Sequence, residues 1–422
     1  MRLRQNARSS WQHRREPPHA LILLNVILSL AAFATAGEKQ SGQSFGWRGD
    51  GSGRFSEAAP PIEWDGESGK NILWKTKVGV SKFSSPTFVN GKIFVVAEPA
   101  HLICLDASDG KILWDKSNGF DALPDKTEEK PARGEQGNTT PTPVSDGQFV
   151  YASFGSGIVA CYDLQGQRQW IRYIDAPPGL DFGRSASPTL IGEKLLVSVH
   201  HLFALDVKTG KTLWSNTNLT ERYGTPLTTR IGGVELVMAP SGQIVRASDG
   251  AVLSTTTELQ YASPVVCDSV AYFISTISSA VALSKAGSDV ATKKVWKTEF
   301  EGTYFASPVC ANGLLYTASN EGNFIIIDAA DGKTLSTKVL QIGSAAGRPD
   351  LPSANIYPNL TQAGTYLFLS NDVGDTLVLG LGKEYQEIKH NNLGEGFSGS
   401  PVFAGTRMYV RTKDRLYCIG GK

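Results

Sequence analysis

Aromatic, amide and hydroxyl side chains recur along the chain, each three residues before a proline that follows Ser, Thr or Tyr. The positions are Phe83, Asn138, Ser185, Tyr223, Tyr261, Phe305, Asn355 and Ser398. Further aromatic and cationic side chains stand beside them, at Arg184, Arg222, Tyr304, Tyr357 and Phe397. Aromatic rings with amides and two arginines can bind a planar, sugar-like or anionic ligand, or a peptide. The sequence leaves open a second interpretation, in which these rings only pack on one another.

No residue pattern typical of catalysis or metal binding accompanies these side chains. The chain has no nucleophile elbow, phosphate-binding loop, zinc-binding HExxH or calcium-binding EF-hand loop. His101 and His201 occupy the same place in a repeated segment, just before an apolar run, which favours a loop position over a metal site. We therefore predict no catalytic residue and no metal site. The sequence favours a protein that is not an enzyme and leaves enzyme activity open.

The prolines themselves mark an internal repeat. A Ser-Pro or Thr-Pro pair precedes an apolar run, a glycine turn and a second apolar run. The pairs are Ser85-Pro86, Thr140-Pro141, Ser187-Pro188, Thr225-Pro226, Ser263-Pro264, Ser307-Pro308 and Ser400-Pro401, with a degenerate copy at Tyr357-Pro358. The prolines of these eight anchors are 38 to 55 residues apart. Because a propeller blade takes ~40–50 residues, this spacing predicts eight blades.

Each repeat except the last is predicted to form four strands joined by tight turns. In the first repeat the strands are predicted at 86–89, 92–97, 102–106 and 111–114. Asn90-Gly91 and Asp109-Gly110 separate apolar runs, and such pairs favour hairpin turns because their residues accept positive φ. Four fourth strands end in a tryptophan that we expect to wedge between blades, at Trp114, Trp170, Trp214 and Trp296. Three repeats lack this residue, and we expect weaker packing there.

The last repeat supplies only three strands, between residues 401 and 419. Residues 71–75 resemble a fourth strand and have no preceding partners, so we expect the N-terminal strand to complete the last blade. The prediction is an all-β, eight-bladed propeller of four-stranded antiparallel blades. Its mouth, where loops enter the innermost strands, is the candidate ligand site, with inserts 117–138 and 341–356 on the same face. The candidate ligand-binding residues are Phe83, Asn138, Arg184, Tyr223, Tyr261, Tyr304, Phe305, Tyr357 and Phe397.

The five cysteines fit the same repeat. Cys104, Cys161 and Cys418 occupy one third-strand position, whereas Cys267 and Cys310 lie on or just after first strands. Their spacing matches no zinc motif, and repeat-equivalent positions lie in different blades. We therefore expect all five to be small buried apolar residues rather than a disulfide or metal cluster.

The first 36 residues have the features of an export signal. Five arginines precede the apolar stretch 20–33, and Ala34-Thr35-Ala36 offers a cleavage site before Gly37. An uncleaved anchor is the alternative. Residues 37–68 form an N-terminal extension and residues 69–422 the propeller, without a later membrane span. We expect a periplasmic or extracellular monomer, and the net charge of +1 argues against nucleic acid as a partner.

The phrases "SSPTFVNGKIFV", "LICLDASDGKILW" and "LFALDVKTGKTLW" resemble the propeller repeat named after pyrroloquinoline quinone (PQQ) enzymes. The resemblance extends from about Gly46 to the C-terminus and includes the opening "GWRGDGSGRF". The chain resembles the bacterial exported PQQ-like propellers, a broad family that includes relatives of the outer-membrane assembly factor BamB. The quinone-dependent dehydrogenases of the family carry adjacent cysteines and a calcium site, and this sequence has no adjacent cysteines. It also lacks the lipid-attachment cysteine expected of BamB.

The resemblance implies an exported ligand-binding or protein-binding scaffold module in the cell envelope. Two alternatives remain at this point. One is a PQQ-dependent oxidoreductase with calcium and a reduced site, and the other is a carbohydrate-active enzyme that uses the propeller mouth. The expected partner is a protein, a small molecule or a carbohydrate.

Overall fold

Eight sheets of short strands follow one another along the chain, in the order that the repeat predicts. The computed structural model describes residues 45–125, 137–175, 181–220, 222–343 and 355–421. Most first strands of successive sheets contact one another, so the first strands line a common axis as the innermost strands of eight blades. The predicted all-β, eight-bladed propeller of antiparallel blades is confirmed.

The first four blades have their strands in chain order from the axis outward. Blade 1 comprises Thr87–Val89, Lys92–Ala97, His101–Asp106 and Ile112–Ser117. Blade 2 comprises Val144–Ser145, Phe149–Ser153, Ile158–Asp163 and Arg168–Tyr173. Blade 3 comprises Thr189–Ile191, Lys194–Val199, His201–Asp206 and Thr212–Thr220. Blade 4 comprises Leu227–Ile231, Val234–Met238, Gln243–Arg246 and Val252–Thr255.

The other four blades follow the same plan. Blade 5 comprises Val265–Cys267, Val270–Phe273, Ile277–Ala286 and Asp289–Glu299. Blade 6 comprises Val309–Ala311, Leu314–Ala318, Asn323–Asp328 and Thr334–Val339. Blade 7 comprises Thr361–Ala363, Tyr366–Ser370, Asp375–Gly380 and Glu387–Asn392, with Arg54–Phe55 added in parallel to its first strand. Blade 8 comprises Val402–Ala404, Arg407–Arg411 and Arg415–Gly420.

The N-terminal strand Ile72–Lys77 is the missing outer strand of blade 8. It pairs antiparallel with Arg415–Gly420, and Trp74 lies opposite Cys418. This pairing covers the edge that the last three strands would otherwise leave open, so the ring is closed as predicted. A single 3-10 turn, Phe120–Ala122, is the one helical element in the described part of the chain.

The tryptophans of the outer strands pack against the next blade, as predicted. The indole N–H groups of Trp114, Trp170, Trp214 and Trp296 donate to backbone carbonyls of the following blade over 2.9–3.2 Å. Each ring also covers a glycine there. A Cβ added to Gly250 would lie 2.7 Å from the Trp214 ring, and the φ of +75° at this glycine equally disfavours a side chain. The tryptophan and the turn glycine therefore form one inter-blade contact.

Trp74 at the closing blade differs in one respect. Its ring lies against Gly110 of blade 1 and 6.0 Å from the ring of Tyr409, but its indole nitrogen has no hydrogen-bond partner. The carbonyl of Ala107, which is equivalent to the acceptors at the other blades, is bonded instead by Arg407. At the seam that closes the ring, the tryptophan therefore packs on a turn glycine as in the other blades. The backbone carbonyl is bonded by an arginine instead of by the indole.

A closed belt of hydrogen bonds links the segments that lead into the eight innermost strands. In each blade the backbone N–H of one residue donates to the side-chain oxygen of the equivalent residue in the next blade, over 2.7–3.0 Å. We call this set the belt. Its members, in blade order, are Ser85, Thr142, Ser187, Thr225, Ser263, Ser307, Asn359 and Ser400.

The belt corrects two of the predicted anchors. The anchor of blade 2 is Thr142 rather than Thr140, and that of blade 7 is Asn359 rather than Tyr357. Residues two apart in an extended segment face the same side, so the alternating pattern fits either register equally well. Only the hydrogen bonds to the neighbouring blades show which of the two residues is the anchor.

Two of the five cysteine predictions are wrong. Cys267 and Cys310 form a disulfide between blades 5 and 6, with their Cα atoms 6.2 Å apart. The innermost strands of neighbouring blades converge near the axis, and this brings residues from different repeats within disulfide distance. Cys104, Cys161 and Cys418 are buried free cysteines, as expected.

Several predictions fall on residues that the structure does not describe. The export signal at 1–36 and the charged parts of the two inserts, at 126–136 and 344–354, lie outside the described residues. Within the described ranges, no helix is both long enough and apolar enough to cross a bilayer.

We predict that Trp214→Ala lowers the free energy of unfolding by about 3–5 kcal/mol, because ring packing between blades is lost. Trp214→Phe should cost about 0.5–1.5 kcal/mol more than Trp74→Phe, since only Trp214 loses a hydrogen bond. Urea denaturation followed by circular dichroism measures both differences. Equal costs for the two Phe variants would contradict the assigned role of the indole N–H.

We also predict that reducing the Cys267–Cys310 disulfide destabilises the ring. The bond joins residues that are 43 positions apart in the sequence. Such a link contributes about 2–4 kcal/mol to the free energy of unfolding, because it restricts the unfolded chain. Thermal unfolding of the wild type should therefore shift downward with reductant. The double variant Cys267→Ser with Cys310→Ala should have the lower melting temperature throughout and show no response to reductant.

Candidate functional site

The belt places a second ring of side chains two residues upstream, where the loops reach the axis. These positions are Phe83, Thr140, Ser185, Tyr223, Tyr261, Phe305, Tyr357 and Ser398. All except Ser398 line a cavity of about 200 Å³, which we call the cup. The belt residues that also line it are Ser187, Thr225, Ser263, Ser307 and Asn359. The cup is therefore built from two stacked rings of repeat-equivalent positions.

Six aromatic rings form a continuous arc around the cup. Ring centroids of consecutive pairs along the arc are 4.5–5.9 Å apart, and the Tyr223–Tyr261 pair is stacked. The arc runs through Phe182, Tyr223, Tyr261, Phe305, Tyr357 and Phe83. The rings pack on one another, yet each remains partly exposed, and Phe182 is 44% exposed. The arc thus keeps aromatic surface available to a ligand.

Hydroxyl groups provide the polar lining. The oxygens of Ser187, Thr225, Ser263 and Ser307 each accept a belt hydrogen bond from a backbone N–H. Among the described residues, none of these four hydroxyl groups donates to an acceptor. A hydroxyl hydrogen can rotate to suit its surroundings, so four O–H donors remain available at the cup. No lining residue carries a charged side chain.

The N-terminal extension closes the cup from the other side. Phe45 pairs with Ser145 of blade 2, and Arg54–Phe55 pairs with blade 7 on the far side of the axis. The chain between them crosses the axial channel, and Gly51 packs against Leu227 of blade 4. Trp47 from this crossing segment lines the cup. We call residues 45–55 the plug, because they turn the axial channel into a blind cup.

A buried arginine holds the plug in place. The Arg48 side chain is fully buried, and its Nη2 donates to the carbonyls of Pro308 (2.6 Å) and Leu360 (3.0 Å). Its Nε and Nη1 have no partner, and its Cζ lies 5.2 Å from the Trp47 ring centroid. Burial lowers the pKa of Arg48 to about 9, while the charge of Asp50 acts in the opposite direction. The cation therefore lies at the axis without an ion pair among the described residues.

The structure brings five of the nine predicted ligand-binding residues into the cup: Phe83, Tyr223, Tyr261, Phe305 and Tyr357. The other four, Asn138, Arg184, Tyr304 and Phe397, do not line it. The backbone N–H of Asn138 donates to Glu98. Arg184 donates to the carbonyl of Gly155.

Tyr304 and Phe397 are buried between blades. The Tyr304 hydroxyl donates to the carbonyl of Glu301, and burial raises its pKa. Phe397 belongs to the apolar cluster of blades 7 and 8. Both are direct sequence neighbours of positions that face the axis, and successive side chains of an extended segment face opposite sides.

Sequence reasoning missed Trp47, Phe182 and the hydroxyl lining of the cup. The alternating Thr-Pro-Thr-Pro of blade 2 contained the signal for Thr140, since the second pair restores the register of the other blades. Trp47 lies in a glycine-rich segment outside the repeat, and only the folded chain brings it to the axis.

The histidines form no metal site in the described part of the chain. His101 bonds Asp115 (2.7 Å), and the partly exposed His390 bonds Asp375 (3.0 Å). His201 stacks on Phe203, and burial lowers its pKa. No group of three or more His, Cys, Asp or Glu residues that could hold a metal ion occurs within the described ranges.

Solved structures with the same architecture have low sequence identity to this chain. BamB from Moraxella catarrhalis is 15% identical, with a TM-score of 0.59 over 83% of this chain and 98% of that chain. The C-terminal WD40 domain of Sif2 is 10% identical (TM-score 0.54, 83% and 98%). The computationally designed Ika8 protein is 11% identical (TM-score 0.52, 82% and 99%). These likenesses show the fold alone.

The sequence also matches a family model. Comparison with curated proteins gave no match. The family model described as outer membrane protein assembly factor BamB matches residues 56–230 and, overlapping these, residues 185–376. Because these matches together span well over half of the chain, the protein belongs to this family of PQQ-like propellers.

Proposed function

We propose that the protein is an exported protein-binding module whose cup receives one side chain or terminal group of a partner protein. The observation that carries this proposal is a blind cup lined by aromatic rings and unused O–H donors. Aromatic rings that are partly exposed around a concave site are typical anchors of binding surfaces. The BamB-like fold supports a protein partner.

The size of the cup favours binding of a single group of a larger partner over binding of a complete ligand. Pockets for complete drug-sized ligands measure roughly 300–1,000 Å³, and the cup measures about 200 Å³. The plug closes its lower end, so a ligand enters from the mouth. The partner would contact the surrounding mouth loops with its remaining surface. We expect the protein itself to act as a monomer.

The residues of the cup do not fit calcium, which the quinone-dependent members of the repeat family use. Calcium is bound by six to eight oxygens, among which carboxylates are prominent. No residue that lines the cup has a carboxylate, and Asn359 is the single amide side chain there. Both polar atoms of that amide are engaged with the belt. We therefore attribute no dehydrogenase step to this site.

Two features support export. The sequence at 1–36 has the features of a cleavable signal, and a disulfide such as Cys267–Cys310 persists in an oxidising compartment. The proposed location is the periplasm or the cell exterior.

The test of binding is selection of a displayed peptide library against the purified protein. Selected peptides should bind the wild type, and Tyr261→Ala or Phe305→Ala should weaken binding at least about tenfold, because a buried ring contact is lost. Leu213→Ala is the control, since Leu213 is an exposed apolar residue (52%) on the outer strand of blade 3. Failure to select any peptide that depends on the cup would contradict the proposal. Selective binding to a glycan array would favour the carbohydrate alternative.

The export proposal predicts a mature N-terminus at Gly37. Mass spectrometry of the protein from a periplasmic fraction should give a chain that lacks residues 1–36. Ala36→Pro should block cleavage and leave the full chain attached to the membrane fraction. An intact N-terminus in the soluble cytoplasmic fraction would overturn the proposal.

A further inference from the structure

We infer that the cup is selective for a carboxylate group on the partner protein. This inference rests on the proposed function and names the chemistry that the cup would recognise. Three independent features of the described residues lead to it: the direction of the hydrogen bonds, the sign of the nearest buried charge and the composition of the lining.

Four hydroxyl groups of the cup have only their hydrogens left to bond a ligand. The hydroxyl oxygens of Ser187, Thr225, Ser263 and Ser307 already accept backbone N–H groups of the belt. Within the described structure, the hydrogen of each of these hydroxyls has no acceptor. A ligand group that presents only donors would leave these hydroxyls unpaired, whereas an acceptor satisfies them.

The buried charge next to the cup is positive. Arg48 lies 5.2 Å from the ring centroid of Trp47, a residue of the cup lining, and is fully buried. Two of its nitrogens have no partner, and it forms no ion pair among the described residues. The nearest carboxylate that influences it is Asp50, which is exposed and bonded to Ser52. A charge in a poorly solvated site interacts strongly with its surroundings, so an anion in the cup is stabilised.

The lining contains nothing that opposes an anion. None of the residues that line the cup is acidic. The aromatic rings carry positive edges, which accept an anion in their plane, and their faces accommodate the apolar atoms attached to it. The cup therefore fits a carboxylate attached to an apolar or aromatic group. In a protein partner such a group is either the C-terminal residue or an acidic side chain beside an apolar one.

The experiment compares ligands of equal shape and different charge. Phenylacetate and phenylacetamide are titrated into the full mature protein, and binding is followed by isothermal calorimetry and ligand-observed NMR. The acid should bind at least about tenfold more tightly than the amide. A peptide arm uses a tripeptide with a free C-terminus, its amidated form, and an amidated tripeptide with an internal glutamate. These arms separate a terminal carboxylate from a side-chain carboxylate.

Arg48→Met tests the source of the selectivity, and Arg411→Met is its matched control. Arg411 is also fully buried with two unpartnered nitrogens, but it donates to Gly79, which does not line the cup. Both variants lose a buried arginine, and only Arg48→Met should reduce the preference for the acid, to about threefold or less. If Arg48→Met does not fold, the comparison of acid with amide on the wild type still decides the inference.

The outcomes separate the two proposals. Equal affinity for acid and amide would overturn the carboxylate inference and leave the binding cup intact. A preference for the acid that is unchanged in Arg48→Met would overturn only the role assigned to Arg48. Absence of any binding that Tyr261→Ala abolishes would contradict the proposed function itself. Tighter binding of the acid that depends on both Tyr261 and Arg48 supports both.

Discussion

The closed belt of eight hydrogen bonds is the constraint on which the rest of the structure depends. Each belt residue donates through its backbone and accepts through its side chain, so every blade is tied to both neighbours at the axis. Buried polar groups are costly unless they are paired, and the ring pairs sixteen of them at once. A blade cannot shift along its strand direction without breaking two of these bonds.

This constraint explains how the aromatic arc is held in place without long secondary structure. Residues two positions before the belt are held at fixed distances from the axis, and aromatic side chains at those positions meet as a continuous arc. The tryptophans pack at the outer edge of the blades, where each ring covers a turn glycine of the next blade. Inner hydrogen bonds and outer aromatic packing together set the angle between blades.

Burial of Arg48 in the plug costs free energy that the rest of the fold must offset. A fully buried Arg48 with two unpartnered nitrogens is destabilising in itself, because its charge has left water without a counter-ion. Its bonds to Pro308 and Leu360 link the plug to blades 6 and 7, directly beside the belt. Because this cation lies next to the aromatic cup, we connect it with recognition as well as with the position of the plug.

Local pattern in the sequence determined the architecture. Alternating apolar runs, Asn-Gly and Asp-Gly turns and a recurrent tryptophan specify strands, hairpins and blades through neighbouring residues, and the unpartnered segment around Trp74 specified closure. Five of the nine nominated residues reached the cup because repeat position fixes the distance from the axis. The tertiary structure alone decided the anchors at Thr142 and Asn359, since a two-residue shift preserves every alternation. It alone joined Cys267 to Cys310 and placed Arg48 at the axis, because such contacts depend on which distant segments converge and leave no period in the sequence.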